Sequence, residues 1–220
     1  MYMHKEYLGM PCQDGCGELN NDYLNTINQV IQVAVDDHKR VFAFRVDLRT
    51  PSDFDDYHKQ HTDNPSYKGL RVTGAMTRFL ESFKSIIQCD LISKKRKGKK
   101  VCVFKPRFIW CKERNQSDNY HYHVIILLNK DVYFTLGDFN SEKSMAFKVM
   151  KAWASALGLV DVNHAKRLVH FPANPSYFID RNSSVFEKQY EELFHRVSYF
   201  AKVETKEYGN RQHNFGGSLN

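Results

Sequence analysis

Apolar residues along this chain follow two rhythms, and the switches between them predict an α+β fold. Steps of three and four put Leu24, Ile27, Ile31, Ala34 and Val35 on one stripe. That spacing predicts an amphipathic helix over residues 21–38, with Asn20 or Asn21 as its N-cap. Residues 41–50 alternate instead, with Phe42, Phe44, Val46 and Leu48 on one side and Arg45, Asp47 and Arg49 on the other. This is a strand with one charged face. An acidic, His-containing loop runs from Pro51 to Tyr67. A second helix follows over residues 68–91, with Leu70, Val72, Met76, Phe79, Leu80, Phe83, Ile86 and Ile87 facing inward.

The basic run 93–100 reads as a solvated loop that turns at Gly98. Residues 101–113 predict a strand with Pro106 at an edge or bulge, and 114–119 carry turn chemistry. Residues 120–129 become apolar on both faces, as a central strand does, so the two strands form a hairpin. Helix 142–157 and a short strand at 167–171 come next. The last helix starts at a capping box, Ser184 to Glu187, and continues to about residue 205. The expected architecture is a central antiparallel sheet flanked by helices. One domain would span 19–208, between a flexible arm at 1–18 and a disordered tail at 209–220.

Composition narrows the class. A chain of 220 residues that is 42% hydrophobic and 14% aromatic can bury one substantial core. Its net charge of +7 makes acidic polymers plausible partners. The longest apolar run is 124–128, far short of the ~20 residues of a membrane span, and the start lacks an apolar signal core. A cytoplasmic location, with no membrane association, is expected. Five cysteines, an odd number, argue against a disulfide framework. Cys12 and Cys16 lack a second Cys/His pair at zinc-finger spacing.

Two places carry chemistry. His121 and His123 are two apart on a strand, so their imidazoles share one face and form half of a divalent-metal site. A carboxylate must join them. Glu113 comes opposite the histidines when the hairpin folds, and Asp47 on the charged face of the earlier strand competes for the role. On the last helix, Phe186, Tyr190, Leu193, Phe194, Val197 and Ala201 form the apolar stripe. Tyr199 lies roughly 200° from Val197 at about 100° per residue, on a polar side shared with His195, Lys202 and Lys206. A phenol among cations suits a nucleophile, because positive charge favours phenolate.

Charged strand, HxH strand, then a helix with Tyr-x-x-Lys is an order that resembles the three-motif layout of rolling-circle replication initiators of the HUH endonuclease superfamily. Residues 110–137, 168–180 and 197–206 are similar to the filamentous-phage (inovirus) gene-two-like replication proteins, which also occur as prophage genes. The resemblance covers most of 20–206. It implies an HUH endonuclease-like fold with His121, His123 and Glu113 as ligands of Mg²⁺ or Mn²⁺. Tyr199 would be the nucleophile and Lys202 its phosphate-facing helper. RVDLR at 45–49 occupies the place of the first motif, without the Thr-containing form common in other initiator families. The single tyrosine of the last motif fits single-tyrosine enzymes.

The implied activity is nicking and rejoining of single-stranded or hairpin origin DNA through a 5′-phosphotyrosine, with host helicase and polymerase as candidate partners. Arg45, Arg49, Lys95, Arg96, Lys97, Lys105 and Arg107 would supply phosphate contacts. The main alternative is a non-catalytic, prophage-derived DNA-binding protein, which needs neither the HxH pair nor Tyr199. A water-activating metal hydrolase would leave no protein–DNA adduct.

Overall fold

The computed structural model describes residues 5–51, 73–102, 104–114, 120–204, 206 and 213–219. Its centre is a six-stranded sheet built around β3 (Arg40–Arg49) and β5 (Tyr120–Asn129), which pair antiparallel from Val41↔Asn129 to Arg49↔His121. β4 (Arg107–Arg114) lies on the other side of β5, and the short β8 (Phe215–Gly217) closes that edge. On the opposite edge, β6 (Val169–His170) and β7 (Ser176–Asp180) pair with successive parts of β3. Every pairing in the sheet is antiparallel, as the alternating pattern predicts.

Helices cover both faces, so the central strands are buried on both sides. One core gathers Phe42, Phe44, Val124 and Ile126 under α2 (Ala75–Arg96) and α3 (Met145–Leu157). The other gathers Val41, Ala43, Ile125 and Leu127 under α1 (Asn21–Asp37) and α5 (Phe186–Ser198). A short helix, α4 (Val162–Lys166), leads into β6. On β3 the odd-numbered face changes along its length, with Val41 and Ala43 in the core and Arg45, Asp47 and Arg49 beyond it. β5 does the same, with Ile125 and Leu127 in the core and His121 and His123 beyond. The two polar ends coincide because the register pairs Asp47 with His123.

Several boundaries differ from expectation. The second helix begins at Ala75 and continues through Arg96, so Ser93 to Arg96 are helical rather than loop. Lysine and arginine are good helix formers and their charge suits a helix C-terminus, which carries the helix on until Gly98 turns it at φ 73°. Leu70, Val72, the loop over 52–67 and the turn over 115–119 lie outside the described residues. Strand β4 starts after Pro106, where the ring cannot donate to the ladder. The capping box does not form, because α5 begins at Phe186 with Val185 as its cap and no side-chain capping bond. The Val185 amide bonds Ser183 Oγ instead. The helix also ends at Ser198, and Tyr199–Ala201 tighten into a 3-10 turn.

The expected loose arm and disordered tail are corrected where they are described. β1 (Glu6–Tyr7) and β2 (Met10–Pro11) form a hairpin whose continuation buries Cys12 and Cys16. Main-chain bonds hold this segment against the 3-10 turn, from Asn20 N to Ala201 O at 2.9 Å and from Val203 N to Glu18 O at 3.0 Å. The tail contributes β8 beside β4, so packed structure extends past both 19 and 208. Among the described residues no helix is long and apolar enough to cross a membrane.

Candidate metal centre

The site sits where the polar ends of β3, β4 and β5 meet the 3-10 turn. Glu113 pairs with His121 and Cys111 with His123, so the carboxylate shares a face with both imidazoles. Glu113 Oε2 lies 3.7 Å from His121 Nε2 and 3.3 Å from His123 Nε2. The two rings meet edge to face with centroids 4.9 Å apart. One ligand atom from each of Glu113, His121 and His123 lies within 4.8 Å of the others. The Glu113 side chain is 1% exposed and that of His121 is 17% exposed, which leaves the group open on the His121 side.

Asp47 takes a different place from Glu113. Its Oδ1 is 2.7 Å from His123 Nδ1, on the far side of the ring from Glu113. An ionised carboxylate only accepts, so Nδ1 carries a hydrogen and donates it, and Nε2 is the nitrogen that faces Glu113, able to act as a ligand when the ring is neutral. Arg45 Nη2 is also 2.9 Å from Nδ1, but a protonated Nδ1 cannot accept from it. The guanidinium is satisfied by Asp47, with Nε at 3.0 Å from Oδ1 and Nη2 at 3.4 Å from Oδ2. Burial pushes the Asp47 carboxyl up, but the bond from His123 and the charge of Arg45 outweigh it and bring the carboxyl down to about 2. Glu113 is likewise held well below the usual range, burial being outweighed by the His121 and His123 bonds and the Lys206 charge. His123 is shifted upward, since its two carboxylate partners overcome its burial.

These features fit a bound cation. Nε2 of each imidazole faces the same oxygen of a buried carboxylate, and a cation held between them would balance that charge and use all three as ligands. Asp47 provides the orienting carboxylate that metal-binding histidines commonly have.

Tyr199 completes the arrangement. Its hydroxyl is 3.4 Å from Glu113 Oε2, the same oxygen that faces both imidazoles. Its ring is 5.7 Å from that of His123, and the Arg45 guanidinium carbon lies 5.6 Å from its centroid. The phenol does not stand among cations as the helical wheel suggests. Burial, and then the Glu113 charge, push its pKa up to about 12. Lys202 follows the turn and pairs with Glu204 at 3.4 Å. Lys206, which the helical wheel puts beside Tyr199 but which is given no role in the expected site, is a neighbour of it. It is buried, donates to the Lys202 carbonyl, and feels the Glu113 charge. Its place on the polar side of the wheel is the signal that points to it.

The proposed phosphate-contacting residues do not gather at one place. Arg45 is 8% exposed and serves the site through Asp47. Arg49 is exposed opposite His121, whereas Arg107 lies at the other end of β4 and bonds Asp37 at 2.7 Å. Lys95, Arg96 and Lys97 are exposed at the end of α2, and Lys105 is exposed before β4.

Sheet and side chains together define an α+β domain with a candidate His–His–Glu metal centre. Residues 8–218 match the YagK/YfjJ C-terminal domain, and the chain belongs to that family. It is similar to the uncharacterized protein YagK of Escherichia coli (strain K12), 34% identical over 197 residues that cover 90% of this chain and 92% of YagK. It is also similar to the uncharacterized protein YfjJ of the same strain, 33% identical over 199 residues, covering 89% and 93% of the two chains. Among solved structures, the N-terminal nuclease domain of minute virus of mice non-structural protein-1 is 12% identical, with a TM-score of 0.24. That match covers 91% of this chain and 79% of the viral one.

Proposed function

We propose that this protein is a metal-dependent DNA nicking–joining endonuclease of the HUH type that initiates rolling-circle replication. The observation that carries the reading is the Tyr199 hydroxyl on Glu113 Oε2, the oxygen faced by His121 Nε2 and His123 Nε2. A binding protein has no need of a phenol at a metal centre, and a water-activating hydrolase has no need of one either. The order of motifs, similar to that of inovirus gene-two-like proteins, points to origin DNA as the substrate.

His121, His123 and Glu113 would hold the metal, and two nitrogen donors beside one carboxylate suit Mn²⁺ better than Mg²⁺. When bound, the metal supplies Lewis-acid polarisation of the scissile phosphate. Tyr199 Oη attacks phosphorus, the P–O3′ bond breaks, and the leaving 3′ oxygen takes up the proton that the phenol gives up. The product is a 5′-phosphotyrosine and a free 3′-OH, and reversal rejoins the strand without a nucleotide cofactor. Lys202 and the buried Lys206 follow the nucleophile in the chain, and Lys202 is assigned to the phosphate. In this reading the protein works in the cytoplasm, with host helicase and polymerase extending the 3′ end.

Incubation with single-stranded and hairpin DNA libraries and Mn²⁺, followed by a denaturing gel, tests the proposal. A shifted band that is lost with EDTA and maps to Tyr199 by mass spectrometry is expected. Retention of DNA on a native gel with no covalent band under any condition would leave the DNA-binding alternative in its place.

A further inference from the structure

We propose that the groove between α2 and α3 is a second DNA tract, which holds a single strand by its phosphates and stacks one base on Phe134. It rests on the reading above in one respect, that DNA is the substrate. The groove encloses about 830 Å³. Its walls carry Lys94, Lys97, Lys99, Lys143, Lys148 and Lys151 against two carboxylates, Asp90 and Glu142.

Asp90 is already engaged. It accepts from the Tyr133 hydroxyl at 2.6 Å, and Lys94 and Lys148 lie 2.9 and 3.6 Å from its oxygens. Lys148 also donates to the Lys143 carbonyl at 2.7 Å, which fixes the floor of the groove. Lys97, Lys99, Lys143 and Lys151 are exposed and make no ion pair with a described residue. Four such ammonium groups around one concavity attract a polyanion, and counterion release makes that attraction depend on salt.

The second observation is aromatic. Phe134 lines the groove and is 63% exposed, a large apolar ring left in water among cations. Stacking on a base would cover it, and only an unpaired base offers a free face. A folded acidic protein would match the charge but would not require this ring. The groove shares no residue with the metal centre, and α2 and α3 cover the sheet face opposite His121 and His123. A strand held here is therefore a separate segment from the one being cut.

The test uses the full chain, a fluorescent 30-nucleotide single strand and the matching duplex, with EDTA present so that cleavage plays no part. The variant Lys97→Gln/Lys99→Gln/Lys143→Gln/Lys151→Gln leaves the Asp90 network intact. It is expected to bind the single strand at least tenfold more weakly. Its slope of log K against log salt is expected to fall by about 2 to 3, at roughly 0.7 for each phosphate that is no longer neutralised. Phe134→Ala is expected to weaken single-strand binding about fivefold to tenfold, leaving the slope and duplex binding unchanged. An unchanged slope in the quadruple variant overturns the proposal. Equal losses on duplex and single strand, or a neutral Phe134→Ala, overturn its single-strand assignment. Adduct formation on a short oligonucleotide reports on the metal centre independently, so adduct with an unchanged slope defeats the groove alone, and a lowered slope without adduct defeats the nicking reading alone.

Discussion

The hydroxyl of Tyr199 points at Glu113 Oε2 from 3.4 Å, although the two residues are 86 positions apart in the chain. The contact is long for an O–H···O bond, so its loss costs little stability. The ring supplies most of what Tyr199 gives the fold, through its edge against His123. Tyr199→Phe is therefore expected to melt within about 1 kcal/mol of wild type and to bind DNA normally. It should form no covalent adduct and rejoin no strands. Adduct that survives the substitution, or that maps to Tyr120, Tyr122 or Tyr190, would assign the nucleophile elsewhere.

Asp47 acts on the metal centre through His123 rather than by touching it. Asp47→Asn keeps the size of the side chain but removes the charge that favours the Nδ1–H tautomer. Metal affinity is expected to fall about 10-fold to 100-fold, as for other carboxylates that orient metal-binding histidines. Titration calorimetry with Mn²⁺ measures this directly. If affinity is unchanged, the 2.7 Å contact is structural only.

His121 and His123 differ in what else they hold. His121 is the more open of the two, while His123 is buried and bridges Asp47 and Glu113. Either alanine variant is expected to lose detectable Mn²⁺ binding and adduct formation while keeping DNA affinity. His123→Ala leaves the buried Glu113 and the partly buried Asp47 short of a partner, so it should also cost at least about 2 kcal/mol more in urea unfolding than His121→Ala. Equal losses of stability would mean that the Asp47 and Glu113 charges are compensated by Arg45 and Lys206 alone.

Much of this site can be read in the sequence because a strand repeats every two residues. That periodicity puts His121 with His123 and, across a hairpin, with Glu113. The competing claim of Asp47 cannot be resolved the same way. Its answer depends on β3 pairing with β5 so that Asp47 meets His123, a register between residues 76 positions apart. The N-terminal hairpin escapes a sequence reading because its apolar anchors, Tyr7 stacked on Phe194 with Met10 and Cys12 against the same core, are too few and too irregularly spaced to make a rhythm. β8 escapes it because its glycines look like a disordered tail, whereas they are there to fit. A Cβ on Gly216 would come within 2.7 Å of Trp110 Nε1, and one on Gly217 within 2.8 Å of Thr26 Cγ2. The end of α5 is overrun because Tyr-Phe-Ala continues the helical pattern, while the bonds to residues 18–20 turn the chain after Ala201.

Asp90 gives a pH-dependent test of the second helical layer, far from the metal centre. Burial works to raise its carboxyl, but the Tyr133 hydroxyl and the Lys94 and Lys148 ammonium groups outweigh burial and hold it below the ordinary 3.8. A folded value below the unfolded one means that the unfolded chain binds the proton more tightly. The stabilisation is therefore fully present above the unfolded value and is lost as pH falls through the folded one. Asp90→Asn keeps an acceptor for Tyr133 but removes the charge that pairs with Lys94 and with Lys148, whose side chain is 9% exposed. At pH 7 the variant is expected to be about 1–3 kcal/mol less stable than wild type. That gap should hold down to about pH 5 and narrow below about pH 4, where the unfolded chain takes up the proton while folded Asp90 still resists it. Urea unfolding of both proteins from pH 7 to pH 3 measures the gap. A difference that stays constant through pH 3 would show that the carboxylate's charge contributes nothing and that packing around Asp90 accounts for the loss.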